Sequence, residues 1–530
     1  MTIAIDFGTS NTVIARWNAA TQEAETLSLP GISQQIAKNP PLIPSLAYVE
    51  DASVGEVIIG QKVRDRGLDL ADDPRFFRSF KRGIGTEIQG FLPELDAKTV
   101  TFEQVGEWYL TEIITQLQTQ AASDSLFLTV PVDSFEAYRR WLTKICQSLP
   151  VTQVRILDEP TAAALGYASL GEVLLVVDFG GGTLDLSLVR LDLGTKNQQK
   201  PTGFILKWGE KILGENSRQR PKTARVLAKA GANLGGSDLD NWLVDYFAEK
   251  QGLPKSPLTL RLAERLKIKL SEQKQASEVY FNDETLETYE LELNRDGFAQ
   301  ILQERQFFEQ LDGLMTTVLQ QGRRQGIETA DIDAVLLVGG TVQIPAVQAW
   351  VEQYFDVKRV KCQKPFEAIA HGALQLAQGF QLKDFLYHSY GIRYWNHRQK
   401  AHSWHPIVKS GQPYPMPNPI ELKLGASVEN QPSIELIIGE LGAENAATEV
   451  YFDGSRLITR TVNTGSTTVQ ALNDRDGART IAQLTPLGHP GSDRVKVSFW
   501  VDEQRSLRIN VEDLLTNQTL LNNQIVAELS

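Results

Sequence analysis

The chain has 530 residues, a net charge of −12 and only two cysteines. Its length exceeds what a single hydrophobic core supports, so two to four compact units are expected. The negative charge argues against a dedicated nucleic-acid binder, because the phosphates of such a partner would be repelled; Cys146 and Cys362 are too few for a disulfide scaffold and lack zinc spacing.

The first predicted strand begins within the opening residues MTIAIDFG, which leaves no room for a signal or transit peptide. The sequence contains no run of about 18 apolar residues, so neither a membrane-spanning segment nor a membrane partner is predicted. Since so few cysteines are typical of proteins from a reducing compartment, a cytoplasmic location is expected.

Strand-like and helix-like segments alternate up to about Gln378, a pattern typical of an α/β architecture. Short apolar runs predict buried strands at Leu126–Val130 and Leu174–Val177. Apolar residues at helical spacing predict helices at Phe102–Leu117 and Leu258–Leu270.

Beyond Asp384 the pattern changes to short segments of alternating polar and apolar residues, so this part of the chain is predicted to be wholly β. The alternating residues of Val495–Val501 and Leu507–Val511 flank a polar turn and predict a β-hairpin. Further short strands are predicted at Ile420–Leu424, Ile434–Ile438 and Glu449–Phe452.

One short motif occurs twice. The residues AIDFGT at Ala4–Thr9 are repeated as VVDFGGGT at Val176–Thr183, and the two aspartates, Asp6 and Asp178, lie 172 residues apart. Because this distance is the size of a domain, the repeat predicts a duplicated α/β lobe and not a solenoid.

The repeated motif has a chemical meaning, because the ends of strands in α/β folds place side chains at a crevice. Glycines allow backbone N–H groups to approach phosphate oxygens closely, whereas a carboxylate beside phosphates is favourable only with a hydrated Mg²⁺ between them. Two such loops facing each other therefore predict a clamp for a metal–triphosphate. The alternative is that Gly180–Gly182 form a tight turn and Asp178 caps a helix, and the second copy of the motif makes this alternative less favourable.

On its motifs, the chain resembles the 70-kilodalton heat-shock chaperones of the actin-like ATPase superfamily. The matching segments are AIDFGTSN at Ala4–Asn11, FKRGIG at Phe80–Gly85, TVP at Thr129–Pro131, LDEPTAAALGY at Leu157–Tyr167, VDFGGGTLDLS at Val177–Ser187, NLGGSDLDN at Asn233–Asn241 and LLVGGTVQIP at Leu336–Pro345. The resemblance implies an α/β fold of duplicated actin-like ATPase lobes at residues 1–380 and an interdomain linker at 381–384. A β-sandwich domain similar to a peptide-binding domain would follow at 385–530.

The resemblance also implies roles for individual residues. The implied catalytic residues are Lys81, Glu159, Asp178, Thr183 and Asp6, and Asp6 and Asp178 would hold Mg²⁺ through water. The implied ATP/ADP contacts are Gly8, Thr9, Ser10, Asn11, Gly180, Gly181, Gly182, Gly235, Gly236, Glu264, Lys267, Ser271, Gly339, Gly340 and Thr341. From the residues alone, Lys81 could equally be a surface lysine, Glu159 an ordinary first-turn residue, and Glu264 with Lys267 a solvated face of a helix.

Several positions depart from the family pattern. The family holds adenine between two arginines, and this chain has Ile268 and Gln343 there, with Phe366 at the position of a family aspartate. We therefore expect weaker nucleotide binding or a different base preference, with hydrolysis retained. The linker keeps only part of its apolar character, and the sequence stops at Ser530 where the family continues into a helical lid, so we expect bound peptides to exchange rapidly.

The resemblance implies an ATP-hydrolysing chaperone that binds unfolded or extended polypeptides under nucleotide control, with a co-chaperone and a nucleotide-exchange factor as potential partners. The alternatives are a peptide-binding module with a weak ATPase, an actin-like nucleotide-gated scaffold, and a small-molecule kinase on the same fold. The candidate peptide-groove residues are Trp395, Leu424, Ser427 and Ile434, for which packing in a β-sandwich core is the alternative.

Two clusters have a simpler interpretation. Four of the six histidines fall between His388 and His405, but their spacing fits no usual zinc pattern, so surface positions are expected. The basic segment Lys207–Lys229 is expected to be a solvated face, with docking of an acidic partner as the alternative.

Overall fold

The computed structural model describes most of the chain. The described residues are 2–18, 20–36, 38–86, 88–90, 92–120, 125–131, 134–146, 149, 151, 153–167, 172–190, 204–208, 211–212, 225–283, 285–377, 386, 389–396, 401–409, 412, 415–416, 418–441, 446–453, 456–463, 469–474, 480–502 and 506–529. They fall into two compact units. The first comprises those up to Leu382 together with those of Thr448–Thr461, and the second comprises those of Lys383–Ala447 and Val462–Ser530.

The first unit contains two large sheets. One has the spatial order Lys211–Ile212, Phe204–Trp208, Gln153–Asp158, Ser125–Val130, Thr2–Phe7, Asn11–Asn18 and Glu23–Thr26, with Ile43–Pro44 paired to Asn11–Asn18. The other has the order Val360–Lys361, Ala334–Val338, Val173–Phe179, Leu184–Arg190 and Arg225–Ala232.

The predicted duplication is visible in how these strands pair. Strand Thr2–Phe7 pairs antiparallel with Asn11–Asn18, the next strand of the chain, and parallel with Ser125–Val130. In the same way, strand Val173–Phe179 pairs antiparallel with Leu184–Arg190, the strand that follows it, and parallel with Ala334–Val338. Asp6 and Asp178 are each the second-to-last residue of their strand. The two lobes therefore present equivalent aspartates at equivalent strand ends.

The ten helices of the described residues all belong to the first unit. They are Gln61–Asp65, Phe102–Gln120, Phe135–Ile145, Glu159–Tyr167, Gly236–Gln251, Pro257–Glu272, Arg295–Glu304, Phe307–Arg324, Pro345–Val351 and Ala368–Ala377, with 3₁₀ turns at Phe80–Gly83, Thr329–Asp331, Gly340–Gln343 and Val357–Arg359. The predicted helices at Phe102 and Leu258 are confirmed, each extended by a few residues.

The smaller strands of the first unit flank the sheets. Leu46–Asp51 lies between Glu56–Ile59 and Phe76–Arg78, and Gln275–Asn282 forms a hairpin with Glu287–Asn294. The remaining strands are Ile88–Gln89, Glu94–Leu95, Lys98–Thr99, Ala446–Asp453, which runs on from the second unit, and Arg456–Asn463.

Helices Glu159–Tyr167 and Ala368–Ala377, both rich in alanine and glycine, cross in close contact and pack against the sheets. A Cβ atom on Gly166 would lie 2.2 Å from the carbonyl oxygen of Ala368, and a Cβ atom on Gly372 would lie 1.8 Å from that of Ala162. Only glycine permits this approach, which explains physically why the small residues of the LDEPTAAALGY segment occur here. The crossing fixes the first turn of helix Glu159–Tyr167, whose glutamate faces the site described below.

The described residues of the second unit form strands and no helix, as predicted. The strands are Ser389–Asn396, Ala401–Val408, Ile420–Gly425, Gln431–Leu436, Ile438–Leu441, Val469–Ala471, Thr480–Gly488, Asp493–Val501, Ser506–Asp513 and Thr519–Glu528. The predicted hairpin is confirmed, because Val501 pairs with Leu507 across its turn. The inward residues of this hairpin, such as Val497 and Ile509, are fully buried in the core of the unit.

Candidate functional site

The two aspartate motifs line one cleft of the first unit, which encloses about 170 Å³. The two loops that follow the aspartates face each other, because a Cβ atom on Gly181 would lie only 1.8 Å from Ser10 Oγ and one on Gly182 would lie 2.6 Å from Thr9 Cγ2. The repeated motif therefore forms two opposed backbone loops, as the sequence predicts, and the second copy is not merely a tight turn.

A buried ion pair lies at the floor of this cleft. Lys81 Nζ is 2.8 Å from Glu159 Oε1, and both side chains are buried. The ammonium also lies 5.6 Å from the centre of the Phe7 ring, and Tyr138 donates a hydrogen bond to the Lys81 carbonyl oxygen at 3.0 Å. The alternative interpretation of Lys81 as a surface lysine is therefore wrong.

Local capping places Glu159 at the cleft. The buried Asp158 side chain accepts a hydrogen bond from the Thr161 N–H at 2.9 Å, so it caps the helix that begins at Glu159. Burial raises the pKa of Asp158 to about 6. Asp158 thus starts the helix, and Glu159 remains available to pair with Lys81.

Burial and neighbouring carboxylates raise the pKa values of the two aspartates at the floor. Burial, followed by repulsion from Glu159, raises the pKa of Asp6 to about 7, although Lys81 and a 2.8 Å hydrogen bond from Thr129 oppose the rise. Burial also raises the pKa of Asp178 well above its ordinary value, with further repulsion from Glu159, Asp185 and Asp6. For Lys81, burial lowers the pKa, but the attraction of Glu159, Tyr138 and Asp6 outweighs it, so the pKa lies above its ordinary value.

This excess of carboxylates fits a hydrated divalent cation. Lys81 is one cation among Asp6, Asp178 and Glu159, and a bound cation would offset the burial and the repulsion that raise the two aspartate pKa values. In the described part of the chain, no group of three or more His, Cys, Asp and Glu side chains is arranged to hold a metal ion directly. The donor set therefore suits a cation held largely through water.

The second loop is held from across the cleft by Arg82, the residue after Lys81. Its guanidinium donates to the Gly182 carbonyl oxygen from Nε at 2.9 Å, and it pairs with Asp238 at 2.5 Å. Asp238 in turn accepts from the Gly235 N–H at 2.7 Å at the start of helix Gly236–Gln251. One arginine thus ties the loop and a helix terminus of the second lobe to the lysine turn of the first.

Helix Pro257–Glu272 forms one wall of the cleft. It begins at Pro257 because Ser256 accepts a hydrogen bond from the Thr259 N–H at 3.2 Å and caps the helix. Lys267 Nζ is 2.7 Å from Asp240 Oδ1 and donates to the Gly236 carbonyl oxygen at the same distance.

Glu264, three residues before Lys267, pairs with Arg64 of helix Gln61–Asp65 at 2.7 Å. Burial raises the pKa of Glu264, but Arg64 and Lys267 outweigh this effect and hold it below its ordinary value. Glu264 and Lys267, two of the three predicted contact residues of the helix, therefore face the cleft and are already engaged with protein partners.

The glycine pair opposite this helix approaches the second aspartate strand. Gly339 has a φ of 86°, a conformation suited to glycine, and a Cβ atom there would lie 2.4 Å from the Phe179 carbonyl oxygen. Thr341 Oγ1 donates to the Gly180 carbonyl oxygen at 2.8 Å. The Phe366 ring lies against Gly340, where an added Cβ atom would be 3.0 Å from the ring.

The structure brings nearly all the sequence-predicted site residues together. Those that line the cleft are Asp6, Gly8, Thr9, Ser10, Asn11, Lys81, Glu159, Asp178, Gly180, Gly181, Thr183, Gly236, Glu264, Lys267, Ser271, Gly339, Gly340 and Thr341. Gly182 and Gly235 stand behind this lining, where they pack against Thr9 and Gly181. Ile268, Gln343 and Phe366 also line the cleft, so the departures from the family pattern fall on its wall.

Several residues of the site were not predicted from the sequence, and three of them are charged groups with a defined place. Arg78 and Asp240 line the cleft, and Arg82 holds the second loop. Arg82 had a signal, since it lies within the FKRGIG segment, and Asp240 lies within NLGGSDLDN. Arg78 belongs to none of the matching segments.

The candidate groove residues of the second unit have different surroundings. Trp395 is 41% exposed and meets His402 edge to face, with the ring centres 5.2 Å apart. Ile434 is buried in the core, which supports the core alternative for this residue, and Leu424 packs partly against the same core. Ser427 donates a hydrogen bond to the Gln431 side chain at 3.1 Å.

Some features noted in the sequence lie outside the described residues. They are the linker at 381–384, His388, His397 and the middle of the basic segment, with Arg218 and Arg220. Within the described ranges, no helix is both long enough and apolar enough to cross a membrane.

Comparison with known proteins gives one family. The family model described as "Hsp70 protein" matches residues 94–204 and 223–400. The chain is 27% identical over 398 residues to proteins called "Chaperone protein DnaK" from Thermotoga petrophila and Thermotoga maritima. Each alignment covers 70% of this chain and 58% of the relative, so the matched region is under two thirds of the relatives' own length.

Proposed function

Because the chain belongs to the Hsp70 protein family, we propose that it binds and hydrolyses ATP in the cleft of its first unit. We further propose that the bound nucleotide controls how the second unit binds unfolded or extended polypeptide segments. The named relatives are chaperone proteins, and the polypeptide partners proposed for this chain follow from that likeness.

The observation that carries the proposal is the convergence of two duplicated loops on one charged floor. Asp6 and Asp178 come from equivalent strand ends, and Lys81 with Glu159 lies between them. Phosphoryl transfer needs mainly positioning and neutralisation of charge, and a buried ammonium beside backbone loops supplies both. The arrangement supports a triphosphate ligand whose terminal phosphate lies nearest to Lys81.

In this proposal Asp6 and Asp178 hold Mg²⁺ through water, and the bound cation would neutralise charge on the phosphates. Glu159 keeps Lys81 in place through the 2.8 Å ion pair. Backbone N–H groups of the two loops, at Thr9–Ser10 and Gly180–Thr183, orient the phosphates, and Glu264, Lys267 and Ser271 face the sugar and base.

Single-turnover hydrolysis of ATP tests the proposal. It should be measured with and without an unfolded apolar peptide for the wild type, Lys81→Ala and a control, Lys98→Ala. Lys98 is an exposed lysine bonded to the Ser53 carbonyl oxygen, away from the cleft. We expect turnover that the peptide stimulates in the wild type and the control, and no turnover in Lys81→Ala.

Two outcomes would contradict the proposal. An absence of turnover in the wild type, with ATP still bound, would favour the second candidate, a peptide-binding module with a vestigial ATPase. That candidate is supported by the apolar Ile268 and Phe366 on the cleft wall. Sedimentation that depends on ATP would instead favour an actin-like scaffold.

A cytoplasmic location, expected from the low cysteine content, belongs to the same proposal, as do a co-chaperone and a nucleotide-exchange factor, which follow from the family alone. Recovery of bound proteins from the wild type in ATP and in ADP, compared with Lys81→Ala, would test whether any partner depends on the nucleotide. Identical recovery in both nucleotides would contradict a nucleotide-controlled partner.

A further inference from the structure

Arg78 occupies a fixed position at the edge of the cleft. It is the last residue of strand Phe76–Arg78 and pairs in register with Leu46 of the neighbouring strand. The next residue, Ser79, is buried and has a φ of 54°, and the turn that carries Lys81 follows directly. The backbone that bears Arg78 is therefore held by a sheet on one side and a tight turn on the other.

The side chain of Arg78 lies where two cavities meet. It lines the main cleft, and it also lines an adjoining cavity of about 30 Å³ together with Thr9, Ser10 and Glu264. Its position is therefore between the first loop and the helix that carries Glu264 and Lys267. In the proposed binding mode, that is the space between the sugar and the phosphates nearest to it.

Arg78 also differs from the other basic residues around the cleft, all of which have close protein partners. The pairs are Lys81 with Glu159 at 2.8 Å, Arg82 with Asp238 at 2.5 Å, Lys267 with Asp240 at 2.7 Å, Arg64 with Glu264 at 2.7 Å and Arg261 with Asp69 at 3.1 Å. Within the described part of the chain, the Arg78 guanidinium has neither a hydrogen bond nor an ion pair.

Arg78 has an electrostatic effect on two carboxylates of the cleft. Burial raises the pKa of Asp240 to about 6, and Arg78 is among the cations that oppose this rise. Arg78 likewise contributes, after Arg64 and Lys267, to the lowered pKa of Glu264. Because both carboxylates already have a lysine or arginine at 2.7 Å, the donors of Arg78 are left for another anion.

We propose that Arg78 is a nucleotide-contacting residue that binds the phosphates nearest to the sugar, which ATP and ADP share. The inference rests on the proposed function, since it assumes that the cleft holds a nucleotide. A guanidinium presents five N–H donors in a planar fork and binds phosphate in a bidentate manner. Its partial burial at the cleft edge reduces screening by water and strengthens the contact.

Calorimetric binding of ATP, ADP and adenosine tests this contact. The variants are Arg78→Gln and a control, Arg66→Gln, which removes an exposed guanidinium of the same region that is 3.5 Å from Glu50 and outside both cavities. Because a hydrogen bond to a charged group is strong, we expect Arg78→Gln to weaken ATP and ADP alike by about tenfold or more. Adenosine should bind unchanged, and the control should match the wild type for all three ligands.

The dependence of binding on salt gives a second measurement. Arg78→Gln should show a shallower loss of ADP affinity with rising salt than the wild type, because one cation–phosphate contact is absent. Its unfolding temperature without nucleotide should fall only slightly, because among the described residues the guanidinium has no hydrogen bond or ion pair to lose and only its weaker attraction to Asp240 and Glu264 disappears.

Each result separates this inference from the proposed function. If the wild type binds neither ATP nor ADP, the proposed function itself fails. If the wild type binds both and Arg78→Gln binds them equally well, only the role of Arg78 fails. An equal loss for adenosine, or a loss confined to ATP, would overturn the assignment of Arg78 to the shared phosphates.

Discussion

The closest approach between the two glycine-containing loops of the cleft gives a sharp prediction for Gly181→Ala. The new Cβ atom would lie 1.8 Å from Ser10 Oγ, 2.6 Å from Ser10 Cβ and 3.3 Å from Ser10 N. A change in the Ser10 rotamer would relieve the first contact but not the second, because two carbon atoms need about 3.5 Å or more. The loops must therefore move apart by about 1 Å.

A displacement of that size matters because, in the proposed function, the loops position the phosphates. Misplacement of reacting groups by about 1 Å can cost on the order of 100-fold in rate, which corresponds to about 3 kcal/mol. We expect Gly181→Ala to hydrolyse ATP about 100-fold more slowly in single-turnover experiments and to bind ATP more weakly. Adenosine binding should be nearly unchanged, because the clash lies at the phosphate end.

A second substitution tests the physical cause. Ser10→Gly removes both of the closest atoms, so the double variant should recover a large part of the activity that Gly181→Ala loses. Hydrolysis by Gly181→Ala within twofold of the wild type would refute the reasoning. Equal losses in the single and the double variant would show that the clash with Ser10 is not the cause.

Three further predictions concern the same unit. Burial and Lys364 lower the pKa of His371 to about 4. As the pH falls below about 6.5, the histidine is therefore protonated in the unfolded state but not in the folded state, and the free energy of unfolding decreases. Urea unfolding should show that His371→Gln abolishes a destabilisation of about 2 kcal/mol between pH 7.5 and pH 5; an unchanged pH dependence would contradict the burial of a neutral imidazole. Gly372→Ala should destabilise the protein by about 3 kcal/mol, because its new Cβ atom would clash with Ala162. The control Gly313→Ala lies in open space on an exposed helix face and should stabilise the protein by about 1 kcal/mol. Equal effects of the two substitutions on thermal unfolding would contradict the close helix crossing. Gln343→Arg should tighten ATP and adenosine binding about fivefold, because a stacked guanidinium contributes about 1 kcal/mol, and calorimetry without such a gain would show that the base does not lie against this wall.

The fold and much of the site follow from patterns that are local in the sequence. The repeated aspartate motif predicts the duplicated hairpins, and helical spacing places Glu264 and Lys267 on one face of their helix. What the sequence cannot give is the partner of each charged group. Arg64 reaches Glu264 across 200 positions of the chain, and that pairing depends on how two lobes close around a cleft.

Arg78 is a charged residue whose lack of a close protein partner among the described residues could likewise not be predicted from the sequence. A lone arginine at the end of a short strand carries no motif, and most arginines in such positions are solvated. Its importance appears only after every other cation of the cleft has been paired with a carboxylate or a carbonyl oxygen. The proposed role of Arg78 rests on guanidinium donors that have no protein acceptor among the described residues. No local pattern in a sequence reveals such unused donors.

The five residues from Arg78 to Arg82 carry three cations, each with a different target. Arg78 faces the cavity, Lys81 pairs with Glu159 on its own lobe, and Arg82 crosses to Gly182 on the other. A continuous strand would send alternate side chains to opposite faces, so Arg78 and Lys81 could not line the same cleft. The left-handed Ser79 ends the strand and starts a 3₁₀ turn, which changes the direction of every residue after it. The strained backbone at Ser79 is therefore the feature that would allow one short segment to bind a phosphate, fix the proposed catalytic lysine and hold the opposite loop at the same time.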